Sequence, residues 1–168
     1  YRSLEQAKLG KSKPPAMQGQ VVIVTGGAGS IGSAIAKKFH AAGAEIMLVD
    51  KNLEQLAQVR SLIDPGISIL QIDITQTDAP TRIVEAVTRT FGGVDILISN
   101  AGSAQQSSSI DMDKQLLRDS FELNFFAHFM LAQEVFKAFR EQAINGQILF
   151  NVSKQAINPG QNFGAYGL

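Results

Sequence analysis

From residue 20 onward, short apolar runs alternate with longer amphipathic stretches. Val21-Val22-Ile23-Val24 is continuously apolar, which suits a strand buried on both faces of a parallel sheet. Ile46-Met47-Leu48-Val49, Ile67 to Ile72, Val94-Asp95-Ile96-Leu97-Ile98 and Ile148-Leu149-Phe150 predict further strands. Between them the spacing predicts helices over about 31–42, 53–63, 78–91 and 113–142. In the first of these, Ile31, Ile35 and Phe39 recur at four-residue steps. Gly43, Asp64-Pro65-Gly66, Gly92-Gly93 and Asn145-Gly146 supply the punctuation that ends helices and turns the chain. Strand and helix alternate throughout, so the expected fold is α/β: a doubly wound parallel sheet, helices on both faces, joined by right-handed crossovers. Residues 1–19 read differently. Leu4 to Leu9 predict a helical turn or two, and Lys11-Ser12-Lys13-Pro14-Pro15 reads as a linker, because paired prolines block helix and ladder alike. The folded domain is expected over 20–168.

The longest helix is apolar around much of its girth. Leu117, Phe121, Asn124, His128, Leu131 and Val135 form one stripe, and Phe125, Phe129, Ala132, Phe136 and Phe139 a second. One stripe is expected to pack on the sheet. The other would leave Phe side chains exposed in a monomer, which predicts a homo-oligomer joined through the 113–142 helix.

Composition narrows the classes. Hydrophobic residues make up 45% and charged residues 18% of the 168, enough for a core and too little charge for disorder. Fifteen basic residues balance fifteen acidic ones, so nothing electrostatic favours nucleic acid or an anionic membrane. The absence of Cys excludes disulfides and thiolate chemistry. No apolar run approaches the roughly 18 residues of a membrane span, and a cytoplasmic protein is expected. His40 and His128 lack a third ligand at metal spacing, so no metal is expected.

Candidate chemistry begins where the first strand ends. Gly27-Ala28-Gly29-Ser30-Ile31-Gly32 fits G-x-G-x-x-G, between a predicted strand and a predicted helix. Residues without a Cβ let the backbone approach a phosphate closely, and the helix N-terminus offers free N–H groups and the positive end of its dipole. Gly26, Gly27, Gly29, Ser30, Ile31 and Gly32 are therefore candidates for holding a dinucleotide pyrophosphate. A Walker-type loop is rejected, since Lys37-Lys38 lies too far along. Asp50 ends the second strand, 18 residues beyond Gly32, where a carboxylate can accept from ribose hydroxyls and repel a 2′-phosphate. NAD is thus expected over NADP, with Lys51 beside it the one opposing feature.

From this point the sequence resembles the short-chain dehydrogenases/reductases over about residues 19–168, which implies a three-layer Rossmann fold. Asp73-Ile74 matches the family's adenine contact. Ser99-Asn100-Ala101-Gly102 resembles its Asn-Asn-Ala-Gly signature with Ser99 for the first Asn. Asn124 matches an Asn that holds a proton-relay water, and Ser153 and Tyr166 stand 13 positions apart, as the family's catalytic Ser and Tyr do. Singly, these would be a loop serine, a half-buried aromatic and a helix amide; their joint spacing carries the reading. Ser30 departs from the commoner T-G-x-x-x-G-x-G pattern and fits the variant of the epimerase-type members, yet Glu141 occupies the position of those members' Ser.

The resemblance implies hydride transfer between the cofactor and a small alcohol or aldehyde. Tyr166 would be the general acid/base, Ser153 the donor to the substrate oxygen, and Asn124 part of a proton relay. A phenol acts as a base near neutrality only when positive charge stabilises the phenolate. The family's Lys would supply that charge four residues after Tyr166, beyond Leu168. An epimerase or dehydratase using bound NAD, and a non-catalytic dinucleotide-binding module, remain open alternatives. The 151–168 segment and the opening Ser3-Leu4-Glu5-Gln6-Ala7-Lys8-Leu9 further resemble the dehydrogenase half of bifunctional rhamnulose-1-phosphate aldolase/alcohol dehydrogenases. That implies a fused aldolase domain and a lactaldehyde-like substrate. A piece of a longer polypeptide, lacking the sheet's C-terminal strands and inactive by itself, is accordingly expected.

Overall fold

The computed structural model describes residues 15–167. The helical turn expected at Leu4–Leu9 and most of the linker lie outside them. In chain order the elements are β1 (Val21–Thr25), α1 (Ser30–Ala41), β2 (Glu45–Asp50), α2 (Leu53–Ile63), β3 (Ser68–Gln71), α3 (Ala79–Phe91) and β4 (Ile96–Ser99). Then come α4 (Lys114–Phe121), a π turn (Glu122–Phe126), α5 (Ala127–Glu141), β5 (Gln147–Phe150), a 3-10 turn (Lys154–Ala156) and α6 (Gly164–Gly167). The five strands form one parallel sheet in the order β3-β2-β1-β4-β5. The expected α/β architecture is present, with the order reversing between β1 and β4.

Successive strand residues point to opposite faces, so each apolar run serves both layers. Val21, Ile23, Met47, Val49 and Leu97 pack with Ile83 and Val87 of α3 and Leu131 and Val135 of α5. Val22, Val24, Ile46, Leu48, Ile96 and Ile98 pack with Ala36 of α1 and Leu56 of α2. Each fully buried Val, Ile or Leu contributes roughly 1.5–3 kcal/mol. Within α1 the buried line is Gly32 and Ala36. Ile35 and Phe39 flank it half-buried, and Ile31 stays 59% exposed at the helix start.

Local chemistry sets the element ends. Asn52 caps α2 by accepting from the Gln55 amide, and Asp113 caps α4 by accepting from those of Gln115 and Leu116. Gly92 closes α3 in the left-handed region at φ 89°, a conformation that favours glycine. The 113–142 helix is interrupted: the π turn at Glu122–Phe126 separates α4 from α5, and nothing in the apolar spacing marks it. His128, Leu131 and Val135 of the first stripe are buried as expected. In the second stripe Phe125, Phe129 and Phe136 are exposed, while Phe139 is buried against Gly146, where a Cβ would collide with its ring.

Gln142, just past α5, works as a surrogate strand. Its amide accepts from the Val94 N–H at 2.9 Å and donates to the Val94 carbonyl at 2.8 Å, satisfying the backbone that enters β4. Gln142→Ala should therefore lower unfolding free energy by about 1–3 kcal/mol in a urea titration, the cost of orphaning two backbone groups. A loss well under that range would mean that water replaces the amide there.

Candidate functional site

The residues singled out by sequence gather along the carboxyl ends of the strands, at the crevice where the strand order reverses. β1 leads into Gly26, whose φ is 63°. A Cβ on Gly26 would lie 2.9 Å from the Ala101 Cα, and one on Gly32 would run into the Gly26 carbonyl. Gly27 is confined by Leu48, whose Cδ2 would stand 2.9 Å from an added Cβ. Gly29 is different, since a Cβ there would meet only the Gly26 carbonyl at 3.4 Å. Three glycines are thus demanded by the protein's own packing, and the fourth leaves open space beside the start of α1.

That start is the electrostatic centre of the site. Gly29 precedes α1 and offers it no side-chain cap, and its first turn has no acidic residue, unlike α2 and α4 with their Asn and Asp caps. Its first amides and positive dipole end remain available to an anion. Ser30, the first residue of α1, and Ile31 beside it are exposed at this mouth. Asp50, at the end of β2, faces the same turn: its carboxylate accepts from the Ala28 amide at 3.2 Å and the Asn52 amide at 3.1 Å. Asp73 follows β3 and accepts from both the amide and the hydroxyl of Thr75. The Thr75 amide holds its carboxyl below the usual range against a smaller effect of burial. Ile74 beside it is buried in the core.

The opposite wall is the segment leaving β4. Thr25 Oγ1 accepts from the amides of Asn100 (2.9 Å) and Ala101 (3.1 Å), and Asn100 Nδ2 donates to the Thr25 carbonyl at 3.0 Å. Asn151, after β5, donates to Asn100 Oδ1 at 2.8 Å. This bracing links three neighbouring strand ends. The sequence marks Thr25 only as the start of the glycine turn, and nothing in it assigns Thr25 or Asn151 this bracing role. Gly102 is exposed beyond the braced pair.

Asn124 sits in the π turn. Its Oδ1 accepts from the Ser103 amide at 3.0 Å, and its Nδ2 donates to the Ser103 carbonyl at 3.0 Å and to Ser120 Oγ at 3.2 Å. Ser120 in turn donates to the Ala165 carbonyl, next to Tyr166. Asn124 and the Tyr166 segment are therefore joined by one chain of hydrogen bonds. Ser153 opens the 3-10 turn and accepts from the Gln155 amide at 3.2 Å. α6 lies against this turn, with Gly167 so close to the Gln155 carbonyl that a Cβ would stand 3.0 Å away. Tyr166 is half-buried, its ring tilted over Phe163. A cavity of ≈ 590 Å³ opens between Ser109, Met112 and Leu117 on one side and Pro159, Gly160 and Asn162 on the other. A second, of ≈ 480 Å³ between Arg60 and Arg89 beside β3, contains none of the candidate residues.

Residues 20–167 match the family model described as short chain dehydrogenase. The chain belongs to that family. It is 30% identical over 175 residues to an uncharacterized oxidoreductase of Bacillus subtilis, covering 99% of this chain and 25% of that protein. It is 34% identical over 155 residues to a 3alpha-hydroxysteroid dehydrogenase of Mediterraneibacter gnavus, covering 88% of this chain and 60% of that one. Among solved structures, a short chain dehydrogenase from Bacillus anthracis superposes with a TM-score of 0.86 at 28% identity, covering 90% of this chain and 64% of that one. The chain thus spans between a quarter and three-fifths of the length of these two curated relatives. Members of the family use NAD(P) nucleotides. Among the described residues, no group of His, Asp or Glu is placed to hold a metal ion, and no helix is long and apolar enough to cross a membrane.

Among the described residues, His128 is the one ionisable group buried behind the site, 9% exposed and hydrogen-bonded through Nδ1 to Ser99 Oγ. Burial pushes its imidazole below the ordinary value of 6.5, opposed in part by the Ala101 backbone. A neutral folded imidazole and a protonated unfolded one make the unfolded state the stronger proton binder. This contribution to stability is complete above 6.5 and is lost as pH falls from there toward the folded value. Thermal midpoints measured from about pH 7.5 down to about pH 5.5 should fall more steeply for the wild type than for His128→Gln. Parallel curves would remove His128 as the cause.

Proposed function

We propose that this short-chain dehydrogenase uses NAD and transfers a hydride between it and a small alcohol or aldehyde, a lactaldehyde-like compound being the leading substrate class. The observation that carries the reading is the uncapped start of α1, bounded by the glycine turn, the Asp50 carboxylate and the braced Asn100–Gly102 wall. Gly26, Gly27, Gly29, Ser30, Ile31 and Gly32 would hold the pyrophosphate through backbone amides. Asp50 would accept from the adenosine ribose hydroxyls, Asp73 and Ile74 would border the adenine, and Asn100, Ala101 and Gly102 the rest of the nucleotide. When bound, the nicotinamide supplies the hydride acceptor and donor.

In this reading the protein's own groups handle the proton. Tyr166 would take it from a substrate hydroxyl or return it, and Ser153 would donate a hydrogen bond to the substrate oxygen as charge develops there. Asn124 would hold a water that links this corner to solvent, supported by its place on the hydrogen-bond chain through Ser120 to the backbone beside Tyr166. The Phe125, Phe129 and Phe136 face supports a homo-oligomer through the 113–142 helix, now α4–α5. A relative of whose length this chain covers 25% supports an arrangement in which a further domain, an aldolase in the reading proposed here, shares the polypeptide.

The test is NADH release by the native full-length polypeptide from NAD and small hydroxy-aldehydes or their alcohols. Tyr166→Phe should lower kcat by about 10²–10⁴-fold while NADH affinity stays within about two-fold. Dinucleotide that binds tightly without net NADH release would refute the dehydrogenase reading. A separate titration addresses cofactor choice. NADH should bind about ten-fold or more tightly than NADPH, and Asp50→Ala should erase most of that difference. Equal affinities in the wild type would refute NAD preference.

A further inference from the structure

Resting on the proposed dinucleotide site, we propose that Ser99 and His128 form a positioning pair that holds the Asn100–Gly102 wall at the right distance from the cofactor and so tunes its affinity. Ser99 is 1% exposed at the end of β4, and His128 is buried on α5, so neither side chain reaches reacting atoms. Their contact, Ser99 Oγ to His128 Nδ1 at 2.5 Å, joins two elements distant in sequence. The π turn that leads into α5 grips the same segment again: Asn124 holds the Ser103 backbone by two hydrogen bonds. The π turn and the first turn of α5, through residues 124 and 128, thus secure residues 103 and 99 of the segment.

The wall between these two anchors has no slack on its other side. Thr25 Oγ1 fixes the Asn100 and Ala101 amides, and the Gly26 Cα packs so near Ala101 that an added Cβ would sit 2.9 Å from its Cα. Asn100 and Ala101 are held by the glycine turn in front and, at the two ends, by α5 and the π turn before it. Loss of the Ser99–His128 bond frees one end and leaves a buried polar atom without its partner, which the segment can satisfy only by moving. That movement alters the space between the wall and the start of α1, where the dinucleotide would lie.

The experiment is an NADH fluorescence titration of the native full-length polypeptide, well below its unfolding temperature, on the wild type, Ser99→Ala, His128→Phe and the double variant. Each single substitution should weaken NADH binding by about ten-fold, and the double variant should be no weaker than the worse single one, because both remove one shared interaction. His128→Gln, whose amide can still meet the Ser99 hydroxyl, should recover most of the affinity. In steady state the KM for the dinucleotide should rise, with kcat at saturation within about two-fold of wild type. Variants that unfold at lower temperature but bind NADH as the wild type does would reduce the pair to packing and overturn the proposal. A wild type that binds no NADH would overturn the reading of the whole site, and the pair with it.

Discussion

Two stretches of backbone meet at the carboxyl end of the central strands with no side chain between them. Gly26, turning out of β1, and Ala101, leaving β4, are nearer than a Cβ would permit. The sheet imposes this: β1 and β4 are parallel neighbours, and the chain leaves them toward opposite faces. A crevice opens only at such a junction, and it stays open only if the crossing is thin. Gly32 meets the same demand one layer on, because α1 can start beside the turn only by resting on the Gly26 carbonyl. The bare start of α1, the orientation of Asp50 and the bracing by Thr25 all follow from this contact.

Bracing of this kind is local, but its effect is not. Thr25 Oγ1 accepts two amides from the next strand's exit, and Asn100 passes the connection to Asn151 on the strand beyond. The side chains of Asp95 and Gln142 perform the same service at the other end of β4, tying Val21 and Val94. Both ends of the central strands are therefore closed by side chains standing in for backbone. Among the described residues, no buried side-chain polar atom lacks a hydrogen-bond partner. That condition keeps a polar crevice rigid at modest cost.

Much of this was legible from the sequence, for a physical reason. Strands buried on both faces must be continuously apolar, so Val21–Val24 and Ile46–Val49 declare themselves, and the glycines between strand and helix mark the turn. The gathering of Asp50, Asp73 and Asn100–Gly102 at one sheet edge followed from their places at strand ends. Partner choice did not follow. Ser99 reads as a substitution within a motif and His128 as one more position in an apolar stripe; only the folded chain shows them bonded. Ile31 has the spacing of a core residue yet lies exposed in the first turn of α1. Phe139 left its expected exposed stripe because Gly146 offers a socket for its ring.

The π turn was invisible for a related reason: it needs no proline or glycine, only a fifth residue in one turn. Burial lapses there, running to Ser120 on one side and resuming at Ala127 on the other. The extra residue is a phase shift. A straight helix presents one continuous azimuth, and a segment fitted to its first half dictates what its second half can touch. With the phase broken, α4 can be oriented by its contact with α6 while α5 is oriented by the sheet and α3. The corner around Tyr166 and the core beneath the sheet can thus accept substitutions independently, joined by an element whose two halves do not share a face.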